Sequence, residues 1–135
     1  MLKAIFLMTL SLFAANAIAD DHSTAPVPVE FWGCNFNDGF DMEDLMNWYA
    51  KFNKEVDSFE DQSYSAYIMT PMFSSEMNRV DFVTAGSWGS LASMGNGMQE
   101  FFGEGKGAEI FAEYQQIANC SSHTLFMSQQ VRAAQ

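Results

Sequence analysis

Basic side chains are scarce in this sequence: six Lys and Arg stand against seventeen Asp and Glu, for a formal net charge of −11. A surface of that sign repels phosphate backbones and anionic lipid headgroups, so the composition argues against nucleic acid or a membrane surface as partner. The acids come in ones and twos, without a run, and read as a solvated surface and not a binding tail. Cysteine is confined to Cys34 and Cys120. There is no Cys-x-x-Cys and no basic group beside either residue, so neither carries the signature of a reactive thiol. Beyond the N-terminal segment, no stretch approaches the roughly 18 consecutive apolar residues of a membrane span.

The N-terminal segment itself has the pattern of a secretory signal peptide: Lys3, then an apolar run, then Ala17-Ile18-Ala19 as a small-residue cleavage site. Residues 1–19 are therefore expected to be removed and the mature chain to begin at Asp20. What remains is long enough for one domain. Five basic and seventeen acidic residues survive the cut, a net charge near −12. Export to a periplasmic or extracellular compartment, with an even pair of cysteines, predicts a single Cys34–Cys120 disulfide.

Residues 20–28, acidic and small with two prolines, read as a flexible leader, and 29–131 as the folded domain. A first strand is expected at Val29–Phe36, closed by the turn signal Asn37-Asp38-Gly39. The following residues place Leu45, Trp48, Tyr49, Phe52, Val56 and Phe59 on one helical stripe, with Asp41 as N-cap, so a helix is expected over Met42–Phe59. Strands are expected at Ser63–Met69 and Arg79–Trp88, joined by a hairpin connection at Phe73–Asn78. The second of these is apolar on both faces and should be central. A helical region from Ser90 to Ala118 should break at Gly103–Gly107, and a last strand should run over Cys120–Val131.

That order, strand-helix-strand-strand-helix-strand, with right-handed crossovers, predicts an α+β fold: a ferredoxin-like four-stranded antiparallel sheet with its helices on one face. First and last strands are then antiparallel neighbours, which brings Cys34 near Cys120 independently of the redox reasoning.

The Asn37-Asp38-Gly39 turn into the helix at Asp41, the hairpin around Pro71 and the passage Ala85-Gly86-Ser87-Trp88-Gly89-Ser90-Leu91 together resemble the dimeric α+β barrel superfamily, over about residues 29–130. The resemblance implies a homodimer with two sheets face to face, and a ligand held between a sheet and its own helices. The superfamily includes small monooxygenase-like proteins. The second helix carries no histidine of the kind haem-binding relatives use, so no cofactor is expected.

His123 is the one histidine within the expected fold. Its alternation with Leu125 and Met127 places it on one strand face, with Asn35 expected to point the same way. Tyr67 and Trp88 are candidates for the walls of an apolar pocket beside it. His123 suits a general base near neutral pH, and it equally suits a hydrogen-bonded packing role. Met42 and Met46, and Met94 and Met98, stand four apart on their helices. Thioethers are soft Cu(I) ligands, but methionine also fills gaps among aromatics, and the second reading is preferred; no metal site is expected. Gly103-Glu104-Gly105-Lys106-Gly107 lacks the spacing of a phosphate-binding loop and reads as a flexible break that can serve as a lid. The leading functional expectation is an exported domain that binds a small apolar or aromatic ligand. An alternative is a cofactor-free monooxygenase-like or isomerase-like enzyme with His123 as base and Asn35, Tyr67 and Trp88 shaping the site. Met-based copper binding is a weaker one.

Overall fold

The computed structural model describes residues 25–73 and 80–132. The expected signal peptide, the leader up to residue 24 and most of the expected hairpin connection lie outside the described residues. Strand β1 (Val27–Phe36) leads to helix α1 (Met42–Val56), then strands β2 (Ser65–Met69) and β3 (Phe82–Ser87). Helix α2 (Leu91–Met98), a π-helical turn (Gln99–Gly103), helix α3 (Ala108–Ile117) and strand β4 (Ala118–Ser128) complete the order. The sheet is antiparallel throughout, in the order β2-β3-β1-β4. The helices cover one face, giving the ferredoxin-like α+β architecture expected from the sequence.

Each element starts where local chemistry directs it. Asn37-Asp38-Gly39 turns through a glycine at φ 87°, a conformation that costs glycine little. The Asp41 carboxylate then accepts from the backbone N–H of Glu43 at 2.8 Å and of Asp44 at 3.4 Å, while the Asp44 carboxylate accepts from the Asp41 N–H at 3.1 Å. This reciprocal capping box satisfies donors that a bare helix start leaves open. Asn37 also donates its side-chain N–H groups to the carbonyls of Gln115 and Gln116, at 3.1 and 2.9 Å. Turn and α3 C-terminus are thereby tied together.

Several boundaries differ from those expected. β1 begins at Val27, inside the expected leader, because the Pro28 carbonyl accepts from the Trp88 N–H at 3.2 Å just past the end of β3, where no partner N–H is needed from the proline. α1 stops at Val56 and not Phe59. Its end tightens into three-residue turns, with Ser58 N–H donating to Glu55 and Phe59 N–H to Val56, both at 3.0 Å. Phe59 nevertheless remains buried. β4 starts at Ala118, directly after α3, because the Ile117 carbonyl is already taken by the Asn37 N–H at 2.9 Å.

β3 is central, and Phe82 through Gly86 are buried. On the outer face, Ala85 is flanked by its cross-strand partners Phe31 and Tyr67, and Val83 by Met69. The core lies on the helical side. One cluster gathers Cys34, Leu45, Trp48, Tyr49, Phe82, Ile117 and Ala118, and a second holds Val56, Phe59 and Phe101.

Cys34 pairs with Cys120 across β1 and β4, and their sulfurs are bonded. Beside the bridge the register slips by one residue, a bulge that leaves Ser121 unpaired on β4. The bond closes a sequence separation of 86 residues. Its loss is expected to destabilise the protein by about 4–5 kcal/mol and lower the midpoint of thermal unfolding by roughly 20 °C, read by calorimetry with and without reductant. A fully reduced protein melting at the oxidised temperature would refute this account.

Candidate functional site

The inner face of the sheet is built from Glu30, Trp32 and Cys34 of β1 and from Phe82, Thr84 and Gly86 of β3. Helices α1 and α3 do not close completely over it. They leave a cavity of about 130 Å³ whose walls are mostly aromatic, among them Trp32, Tyr49, Phe52, Tyr64, Trp88 and Phe101. The amphipathic stripe of α1 supplies one wall. Trp48 and Phe52 stack with ring centroids 4.9 Å apart, and Tyr64 leans on Trp88 at 4.7 Å. Gly97 of α2 is required by that arrangement, since a Cβ there would lie 2.0 Å from the Trp88 ring. The π-helical turn places Phe101 and Phe102 at the cavity's edge. It is held down by Lys106, which binds the Glu100 carboxylate at 2.6 Å, while the other Glu100 oxygen accepts from the Glu60 N–H at 3.2 Å.

Most polar atoms in these walls are already paired. The Trp48 indole N–H donates to the Ile110 carbonyl at 2.8 Å, and the Tyr49 hydroxyl to Thr84 Oγ1 at 3.3 Å. The Tyr114 hydroxyl sits 3.2 Å from each disulfide sulfur. Glu30 differs. It lies in the middle of the sheet, 6% exposed, and its Oε2 accepts from the Trp32 indole N–H at 3.0 Å. Its Oε1 is buried and has no hydrogen-bond partner among the described residues. His123 stacks on Trp32 with centroids 4.0 Å apart, and its Nε2 lies 3.6 Å from Glu30 Oε2.

The residues expected to form a site are thus brought together only in part. Trp88 is a wall of the cavity. His123 reaches it indirectly, through Glu30, and is half exposed on the edge strand β4. Asn35 does not share a face with His123: Trp32, Cys34 and Phe36 point toward the core, so Asn35 projects from the outer face, and it pairs with Asn119. Tyr67 is likewise on the outer face and 66% exposed, since Ala66 and Ile68 are the inward residues of β2. The aromatic that fills the place expected for Tyr67 is Tyr64, just before the strand. The methionines are dispersed: Met42 packs on the main core cluster, Met98 lines the cavity and Met69 lies on the outer face. Among the described residues, no three His, Cys, Asp or Glu side chains gather as a metal site, and no helix is long and apolar enough to cross a membrane.

No family model and no curated protein matches the sequence. Solved structures do match. SnoaB, a cofactor-independent oxygenase from Streptomyces nogalater, aligns over 79% of this chain and 96% of its own, with a TM-score of 0.54 and 9% identity. A hypothetical Arabidopsis thaliana protein aligns over 82% and 93%, with a TM-score of 0.52 and 10% identity. A dimeric ferredoxin-like protein of unknown function from Thermobifida fusca aligns over 78% and 92%, with a TM-score of 0.50 and 7% identity. The neighbours are dimeric α+β barrel and ferredoxin-like proteins. At such identities the likeness is one of fold.

Within this ferredoxin-like frame, the residue that sequence reasoning missed is Glu30. Its signal was a single charged residue inside the apolar run of a central strand, where an ionisable group is out of place unless paired or used. The α1 stripe was read as core, and it is also cavity wall.

The cavity's phenols are strongly weakened acids. Burial pushes Tyr49 up to about 12, against a smaller opposing effect of the Thr84 hydrogen bond, and burial likewise raises Tyr64 and Tyr114. These groups stay neutral donors at physiological pH. A raised folded-state value stabilises the fold fully below the unfolded tyrosine value near 10, and that stabilisation disappears as pH climbs through the folded value. Tyrosinate absorbance from these three phenols is therefore expected to lag beyond pH ~10, that of Tyr49 to about 12, and to appear together with unfolding. Ionisation of Tyr49, Tyr64 and Tyr114 near pH 10 in folded protein would contradict the burial described here.

Proposed function

We propose that the protein binds a small, largely apolar ligand in the cavity between its sheet and helices. One observation carries this reading: a partly open, aromatic-lined cavity of about 130 Å³ survives in the fold although large side chains surround it. An apolar cavity of roughly 150 Å³ is known to stay dry and to hold benzene, so the space suits a single ring. With toluene at about 100 times its dissociation constant, the protein should gain about 2.7 kcal/mol of stability, visible as a higher unfolding temperature and altered tryptophan fluorescence. No change in either at saturating toluene would remove the reading.

A second reading is supported by the Glu30–His123 pair: an enzyme resembling the cofactor-independent oxygenase SnoaB in fold, with His123 drawing a proton outward and Glu30 bearing on the ligand. The two readings part at His123. Substituting His123→Gln leaves toluene binding intact in both, and abolishes turnover of a bound substrate only in the second.

Export and dimerisation complete the proposal. The disulfide and the apolar N-terminal segment support an exported, periplasmic or secreted protein. The outer sheet face supports a sheet-to-sheet homodimer: it exposes Tyr67, Met69 and Phe126, and the Thermobifida fusca neighbour is dimeric. Exported protein should scatter light as two chains that each begin at Asp20, and Tyr67→Glu, which places charge on that face, should give a monomer. A wild-type monomer at micromolar concentration would exclude the dimer.

A further inference from the structure

We propose that the ligand of the aromatic cavity is a small organic cation, an amine with an N–H to give and an apolar body of about one ring. The inference rests on the cavity being the ligand site, and it names the chemistry that site selects.

The selection starts at Glu30. A carboxylate withdrawn from water needs a counter-charge or a full set of donors. Glu30 has one donor, the Trp32 indole, on Oε2, and the nearest cationic candidate, His123, also approaches Oε2. Oε1 remains without a partner and Glu30 lines the cavity. A ligand in the cavity therefore lies against a residue whose buried Oε1 is a bare acceptor. An ammonium N–H satisfies its hydrogen-bonding capacity and its charge together. A hydroxyl satisfies only the first, and a hydrocarbon neither.

The walls favour the same occupant. Trp32, Trp48, Phe52, Tyr64 and Trp88 line the cavity, and an aromatic face carries negative π-density that attracts a desolvated cation. Among the described residues, no Lys or Arg lines the cavity to compete with it. The net charge of −11 acts at longer range, concentrating cations near the protein and repelling anionic ligands. Carboxylates, phosphates and sulfates are thus excluded by both the near and the far field.

Benzylamine, benzyl alcohol and toluene share a ring and differ in charge and donor, so they separate these contributions. Titrated into the oxidised protein at pH ~7 and followed by NMR, benzylamine is expected to bind at least about tenfold more tightly than benzyl alcohol, with toluene weaker again. In Glu30→Gln the benzylamine advantage should collapse, while toluene affinity stays within about twofold and so reports an intact cavity. Benzylamine binding no tighter than benzyl alcohol in the wild type, with toluene bound, would overturn the cation and leave the ligand cavity standing. A benzylamine advantage that persists in Glu30→Gln would also overturn it, because Glu30 would then not act as a charge. Failure of all three to bind would remove the cavity reading together with this one.

Discussion

The double pairing of β1 is the constraint from which the rest follows. β1 lies between β3 and β4, hydrogen-bonded to both, and the Cys34–Cys120 bridge locks it to β4. Once that register is set, strand alternation leaves no choice of face. Glu30, Trp32 and Cys34 turn toward the helices, and Phe31, Gly33 and Asn35 turn away. The same register seats His123 opposite Trp32, which is why a half-exposed histidine on an edge strand comes near a buried carboxylate. Bridge, indole stack and acid are consecutive consequences of one pairing.

The helical layer then determines how much of the inner face is enclosed. α1 carries a dense aromatic stripe, but large flat rings cannot interdigitate as completely as branched aliphatic chains do. Apart from the Trp48–Phe52 stack, the rings of Trp48, Tyr49, Phe52, Tyr64, Trp88 and Phe101 meet edge to face or tilted, and the space between them is the cavity. The interrupted second helical region contributes to this. Glycines at 97 and 107 let the rings of Trp88 and Phe101 approach the backbone, and the π-helical turn re-aims Phe101 and Phe102. A continuous helix from 90 to 118 would have carried those rings elsewhere.

What the sequence disclosed, and what it concealed, divides along the same physical lines. Element order, the bridge, the central strand and the break at Gly103–Gly107 were legible because each rests on a local signal: turn residues, a helical period, glycine clustering, an even cysteine pair. The site was legible only through Trp88 and, at one remove, through His123. Asn35 and Tyr67 were assigned to the wrong face because β1 and β2 carry aromatic or aliphatic residues on both faces, so a period of two points nowhere in particular. The β-bulge beside Cys34 shifts the count further along β4, so counting from Cys120 to His123 gives the wrong parity. Glu30 was visible as an anomaly but had no partner in sequence to give it meaning. Its partners come from β1 itself, from the far end of the chain and from a cavity that only packing creates.

Glu30 also bears on whether the arrangement is structural or functional. Its contact with Trp32 requires one hydrogen-bond acceptor, and a neutral side-chain amide would supply that acceptor without placing a carboxylate in an aromatic chamber. An unpaired buried acceptor costs about 1–3 kcal/mol, a large fraction of the marginal stability of a domain this size. The fold around it shows no shortage of means to avoid that cost. The Trp48 indole and the Tyr49 hydroxyl are paired within the chain, and the other buried acid among the described residues, Glu100, is bonded to a lysine and a backbone N–H. A penalty accepted at one atom, on a residue that lines the aromatic cavity, is best accounted for by a partner that arrives from outside.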